Sequence, residues 1–167
     1  MKIKTRSNRA SSTILMVFAI LFFVFNSCKK EVVGTTREEL AIQKFLIDRD
    51  IDAEPTSTGL YYIEEVAGTG EYPVLSDTVE VYYKGMYLDG RIFDSHLTGE
   101  PFTFPIGEGQ VITGWEEGLS YMKPGGEAML IIPSILAYGI SGYGQIPGGT
   151  PLVFEVKLLN IVPGPNH

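Results

Sequence analysis

Val111-Ile112-Thr113-Gly114-Trp115-Glu116-Glu117-Gly118 contains the only tryptophan of the 167-residue chain. Trp115, Leu119 and Met122 recur at i, i+4 and i+7, which sets them along one apolar stripe of a short helix. Upstream stand Phe93, Phe102 and Phe104, and downstream stand Tyr138 and Phe154. A bulky ring at the mouth of a short helix, with aromatics converging on it from several segments, points to a hydrophobic hollow rather than a filled core.

The segments on either side of that helix read as strands. Leu60-Tyr61-Tyr62-Ile63 is a first strand. Over Thr78 to Tyr87, Val79, Val81 and Tyr83 alternate with Thr78, Glu80 and Tyr82, the period-two signature of a half-buried strand. Asp89-Gly90 is a strong hairpin turn, and Ile92-Phe93-Asp94 begins the return strand. His96 to Glu100 reads as loop, after which Phe102-Thr103-Phe104 alternates again. Lys123-Pro124-Gly125-Gly126 is a turn, and the strand from Glu127 to Ile132 is stopped by Pro133. Ile140 to Thr150 is a long glycine-rich loop. Leu152, Phe154, Val156 and Leu158 form the inner face of a last strand. The fold class is α+β: an antiparallel sheet with a short helix packed across it.

Ahead of the sheet, Thr36-Arg37-Glu38-Glu39 has the spacing of a capping box. Leu40, Ile42, Phe45, Leu46 and Arg49 follow at near-helical intervals, and Pro55 and Gly59 bound the helix. Such a short helix needs packing. It is expected against its own domain, with dimerisation or partner docking as the alternative, so monomer and dimer both stay open.

The N-terminus is an address. Lys2, Lys4, Arg6 and Arg9 precede the unbroken apolar run Ile14 to Phe25, followed by Asn26-Ser27-Cys28. This is the layout of a secretory signal, and the run falls short of the roughly 18–20 residues of a spanning helix. The sole cysteine after a small Ser27 resembles the lipobox of bacterial lipoproteins, with Phe25 where that family prefers Leu. The resemblance implies lipidation at Cys28, a lipid anchor in a bacterial membrane, and a protein facing outside the cytoplasm. The alternatives are an ordinary signal peptide or an uncleaved short anchor.

The net charge is −7, and the chain without residues 1–27 keeps nine basic against 20 acidic residues, a net of −11. That balance argues against a nucleic-acid surface. One cysteine and two distant histidines, His96 and His167, assemble no metal-ligand set and no internal disulfide. The chain has no Gly-x-Ser-x-Gly elbow, no Cys–His pair in the sheet region and no phosphate loop. Glu116 and Glu117 are adjacent on a helix, so they diverge and read as a solvated face near its N-terminus. What remains is an aromatic pocket with few polar groups: Asp94, Tyr138 and Tyr83. Such a site suits binding, or a reaction that transfers no proton. Taken singly, each wall Phe or Val is an ordinary core residue. Tyr138 and Asp94 are the discriminating pair.

Several motifs carry a family resemblance in order and spacing. They are Tyr82-Tyr83-Lys84-Gly85, Asp89-Gly90-Arg91-Ile92-Phe93-Asp94-Ser95, Pro101-Phe102-Thr103-Phe104, Gly107, the Trp115 segment and Ala137-Tyr138-Gly139. Ile146-Pro147 and Leu152-Val153-Phe154-Glu155-Val156 continue the match. Together they resemble the FKBP-type peptidyl-prolyl isomerases over about residues 59–162. The resemblance implies a half-barrel of antiparallel strands wrapped on a short helix, and cis/trans rotation about the bond preceding proline without a cofactor. Trp115 would be the floor under the proline ring, with Tyr83, Phe93, Phe102, Val111, Ile112 and Phe154 as walls. The Ile112 N–H and the Tyr138 hydroxyl would hold substrate carbonyls, Asp94 would orient polar groups at the rim, and Tyr143 and Ile146 would lie on a flexible flap. Tyr143 stands where many relatives carry His, and Gly148-Gly149 replaces a stretch that often contains Pro. The implied partners are proline-containing polypeptides and rapamycin-like macrolides. A non-catalytic chaperone or scaffold using the same pocket is the alternative. The expected organisation is a lipoprotein signal peptide over 1–27, tether and short helix over 28–58, isomerase domain over 59–163, and tail over 164–167.

Overall fold

The computed structural model describes residues 36–165. The signal segment, Cys28 and the tether up to Thr35 lie outside the described residues. In chain order the elements are α1 (Arg37–Asp48), β1 (Tyr61–Val66), β2 (Thr78–Tyr87), β3 (Ile92–His96), β4 (Phe102–Pro105), α2 (Thr113–Ser120), β5 (Glu127–Ile132), a 3-10 turn (Ser134–Leu136) and β6 (Leu152–Val162).

The alternating strand β2 is the spine. It pairs antiparallel with β6 along its whole length, from Thr78 opposite Val162 to Tyr87 opposite Leu152. Two short strands share its other edge: β4 lies beside Thr78–Val81 and β3 beside Tyr83–Met86. Beyond β6 come β5 and β1, so the six-stranded order is β1-β5-β6-β2-β3 with β4 also on β2. The β2–β3 turn closes at Asp89-Gly90, where Gly90 takes a φ of 86°. Only glycine occupies that conformation cheaply. The return strand runs further than the sequence reading had it. His96 belongs to β3 because it pairs opposite Tyr83.

Period-two alternation assigns each side chain to a face. Leu152, Phe154, Val156 and Leu158 of β6 join Val79, Val81, Leu130, Ile132, Trp115 and Leu119 in one core. The intervening Val153, with Ile131, Tyr61 and Met86, joins Ile42, Phe45 and Leu46 of α1 in a second core on the other face. The sheet is thus covered by α2 on one side and α1 on the other.

The N-terminal helix packs on its own domain, the first of the two readings. Thr36 caps it, accepting the Glu39 N–H at 3.2 Å. The helix ends at Asp48, before Pro55, where Asp50 turns into the left-handed region at φ 54°. Leu40 is not part of the buried stripe; it is 58% exposed. The Arg49 guanidinium covers the Phe45 ring at 4.0 Å. A helix this short is marginal alone, and each of the three buried side chains contributes roughly 1.5–3 kcal/mol of transfer free energy. Docking, rather than intrinsic propensity, stabilises it. Among the described residues no helix is long and apolar enough to cross a membrane.

On the other face, α2 meets β5 through glycines. A Cβ at Gly114 would lie 2.4 Å from Ile132 Cγ2, and one at Gly118 would lie 2.7 Å from the Leu130 methyls. The helix axis therefore comes close to the sheet, and the adjacent Trp115 is lowered among the strands.

Candidate active site

Tyr83 comes from β2, Phe93 and Asp94 from β3, Phe102 from β4, and Val111 and Ile112 from the approach to α2. Trp115 sits in the first turn of α2, Tyr138 follows the 3-10 turn, and Phe154 lies on β6. All nine line one cavity of about 180 Å³, joined by Gln110. That volume corresponds to about six water molecules at liquid density, the scale of a small ring and a peptide group. Larger hollows exist, among them a groove of about 640 Å³ between α1 and the turn after β5. Size does not single out the site; the convergence of aromatic rings does.

Trp115 is 4% exposed. Its ring meets Tyr83 edge-on at 4.9 Å and Phe154 at 5.2 Å, with Phe104 at 5.9 Å and Phe102 at 6.1 Å. Phe93 meets Phe154 edge to face at 5.6 Å and 87°, the geometry that ring quadrupoles favour. Gly85 makes this contact possible. A Cβ there would lie 2.7 Å from the Phe154 ring and 2.8 Å from the Phe93 ring. The indole Nε1 of Trp115 is buried with no hydrogen-bond partner among the described residues. A packed core seldom tolerates such a donor.

The polar groups gather at the rim. The Tyr83 hydroxyl donates to Asp94 Oδ2 at 2.8 Å. Burial, then this hydrogen bond, then the Asp94 charge push the Tyr83 phenol well above its ordinary range. Tyr138 is also shifted upward, by burial first and then by the charges of Asp94 and Tyr143. Its hydroxyl keeps its proton and remains a donor, yet it bonds to no other described residue. The Tyr138 ring stacks on Tyr143 at 5.3 Å and 15°. The Ile112 N–H, at the open N-terminus of α2, also has no intramolecular partner among the described residues. Besides the buried indole N–H of Trp115, the cavity therefore presents two unengaged donors above its aromatic floor.

Tyr143 and Ile146 line a neighbouring hollow of about 400 Å³ that shares Phe93, Asp94 and Tyr138 with the first. The flap is more constrained than the resemblance implies. Ile146 is 6% exposed and packs into the main core, while Tyr143 is 71% exposed. Their backbones bond to each other at 2.9 Å in both directions. Gln145 fastens the loop further: its side chain donates to the Phe93 carbonyl at 3.0 Å, and its own carbonyl accepts from the Tyr87 hydroxyl at 3.1 Å. Gln110 and Gln145 were not singled out in the sequence, where a polar residue in a loop carries no distinguishing signal.

Glu116 and Glu117 do diverge, but they are not simply a solvated face. Glu117 accepts from the hydroxyls of Thr56 at 2.9 Å and Thr58 at 2.6 Å. Glu116 accepts the Gly109 N–H at 2.9 Å. Each carboxylate ties a loop to the helix that holds Trp115.

Known proteins share this fold. The model of the FKBP-type peptidyl-prolyl cis-trans isomerase family matches residues 70–159. The chain is 47% identical over 124 residues to the FKBP-type peptidyl-prolyl cis-trans isomerase FkpA of Escherichia coli K12, covering 74% of this chain and 44% of that protein. The crystal structure of FkpA from Escherichia coli superimposes with a TM-score of 0.69 at 43% identity, covering 77% of this chain and 60% of that one. A peptidyl-prolyl cis-trans isomerase structure from Pseudomonas syringae pv. tomato is matched over its full length, with 78% of this chain covered, a TM-score of 0.63 and 33% identity. The chain belongs to the FKBP-type peptidyl-prolyl cis-trans isomerase family. It spans less than half the length of the curated FkpA it matches.

Proposed function

We propose that this protein catalyses cis/trans rotation of Xaa-Pro peptide bonds in exported polypeptides. The observation that carries the reading is the pairing of an apolar aromatic cavity with two unengaged donors, the Tyr138 hydroxyl and the Ile112 N–H. Amide resonance sets a barrier of roughly 18–20 kcal/mol to this rotation. No bond is made or broken, so no nucleophile or base is needed. Twisting the amide removes resonance and lowers the charge separation between oxygen and nitrogen. A water-poor aromatic pocket therefore favours the twisted state over the planar one, and only that difference speeds the reaction. Trp115 supports the proline ring, Tyr83, Phe93, Phe102, Val111 and Phe154 enclose it, and the two donors hold flanking carbonyls. Asp94 fixes Tyr83 at the rim. The same cavity would take a rapamycin-like macrolide.

Cys28 is the proposed lipid attachment point, holding the folded part on the outer side of a bacterial membrane. The apolar run before it and the absence of any other cysteine support this reading. Cys28→Ser should release the protein from membranes and abolish lipid labelling. Membrane retention without labelled lipid would point instead to an uncleaved anchor.

The deciding assay follows isomerisation of a panel of Xaa-Pro peptides with the purified protein. Acceleration that falls in Tyr138→Phe by roughly 3- to 10-fold, the worth of one hydrogen bond, is expected. Suppression of client aggregation with no acceleration of any peptide would overturn the enzymatic reading.

A further inference from the structure

Glu38 of α1 reaches the turn that follows β5. Its Oε2 accepts from the Ser134 hydroxyl at 2.8 Å, and its Oε1 accepts the Ser134 backbone N–H. The 3-10 turn Ser134–Leu136 is preceded by Pro133, which offers no side-chain cap. The first N–H of such a turn is an orphan donor. Glu38, 96 residues away in sequence, supplies the acceptor that the local sequence lacks. Ser134 is 6% exposed, so these charge-assisted bonds are partly shielded from water.

The contact continues into the site. The Ser134 carbonyl accepts the N–H of Ala137 at 3.0 Å and of Gly139 at 2.7 Å. These two residues flank Tyr138. Its hydroxyl makes no bond to the other described residues, so the ring is placed by this backbone, by the Tyr143 stack and by its packing on the main core, and only the backbone sets its height over the cavity through a hydrogen-bonded link. Docking of α1 does not rest on Glu38 alone, since Ile42, Phe45 and Leu46 bury that helix against the sheet. We infer that Glu38 is a positioning residue for Tyr138: through Ser134 it sets where the Tyr138 hydroxyl stands over the cavity. Glu38 lies outside the stretch matched by the family model, residues 70–159. The activity readout rests on the isomerase reading above; the exchange readout below does not.

A double-mutant cycle separates positioning from general stability. Glu38→Ala is expected to lower kcat/KM about fivefold in the wild-type background and less than about twofold in the Tyr138→Phe background, because the group it positions is then absent. Glu38→Gln keeps an acceptor for the Ser134 N–H and should recover most of the loss. Equal losses in both backgrounds would overturn the inference. Amide hydrogen exchange supplies the arm that needs no turnover. In Glu38→Ala, the Ala137 and Gly139 amides should exchange faster while core amides such as Leu130 do not. Unchanged exchange at Ala137 and Gly139 would also overturn it. If the wild-type protein turns over no peptide, the isomerase reading fails and the exchange result alone decides. Should Glu38→Ala not fold, Ser134→Ala, which removes only the hydroxyl link, runs the same cycle.

Discussion

The Tyr83 hydroxyl donates to Asp94 Oδ2 across 2.8 Å, joining β2 to β3 at the mouth of the aromatic cavity. The bond locks a ring that touches both Trp115 and Phe102. Asp94→Ala strands the Tyr83 hydroxyl, whereas Tyr83→Phe strands one oxygen of a carboxylate that water can reach. The double variant should therefore be more stable than the sum of the single losses, with a coupling of roughly 0.5–1 kcal/mol. Urea unfolding of the four proteins measures it. Strict additivity would mean that the bond contributes nothing to the rim.

Trp115 is the only tryptophan, so its emission reports on one place. A proline-mimicking macrolide that fills the cavity displaces water from beside the indole and should change both intensity and wavelength. The titration should saturate at the stoichiometry of one ligand per chain. Saturable binding by calorimetry with unaltered emission would place the ligand elsewhere.

Four buried or half-buried tyrosines make a pH prediction. Tyr61, Tyr62, Tyr83 and Tyr138 all have phenols shifted upward, burial being the largest cause in each. Tyr62 is pushed up to about 12 from an ordinary 10.0. In this window the unfolded chain has released phenolic protons that the native protein retains, so the free energy of unfolding falls as pH rises. The stability is fully present below about pH 10 and is lost progressively toward about pH 12. The thermal midpoint should be level up to pH 10 and then drop. Tyr62→Phe should show a shallower drop, and an identical slope would remove Tyr62 from the account.

The sheet was legible because each strand encodes its two faces locally. Val79 and Val81, or Phe154 and Val156, declare their side by alternation alone. The helix α1 declared its face through Ile42, Phe45 and Leu46, but not its partner. Val153 and Ile131, which receive it, lie more than 80 residues further along the chain. The cavity residues could be gathered because the family motifs kept their order. Contacts between sequence-distant polar groups left no trace. Glu38 reads as an ordinary first-turn acid, and Glu117 as a solvated one, until the fold brings Ser134 and the Thr56–Thr58 hydroxyls to them. The resemblance puts Ile146 on a flap, and the loop's own sequence does not reveal that its side chain is buried.

Gly114 tests whether close approach of α2 to the sheet places Trp115. In an exposed helix, Gly→Ala gains up to about 1 kcal/mol. At Gly114 the new methyl would sit 2.4 Å from Ile132 Cγ2. Ile132 is β-branched and stiff at χ1, so it cannot swing that methyl aside without moving the strand. Overpacking of this kind costs about 1–3 kcal/mol, which exceeds the propensity gain, reduced further at a helix start. Gly114→Ala should therefore be net destabilising in urea unfolding. It should also lift the adjacent Trp115, shifting its emission and weakening macrolide binding. A stabilised variant with unchanged tryptophan emission would show that the glycine is not what sets the depth of the cavity floor.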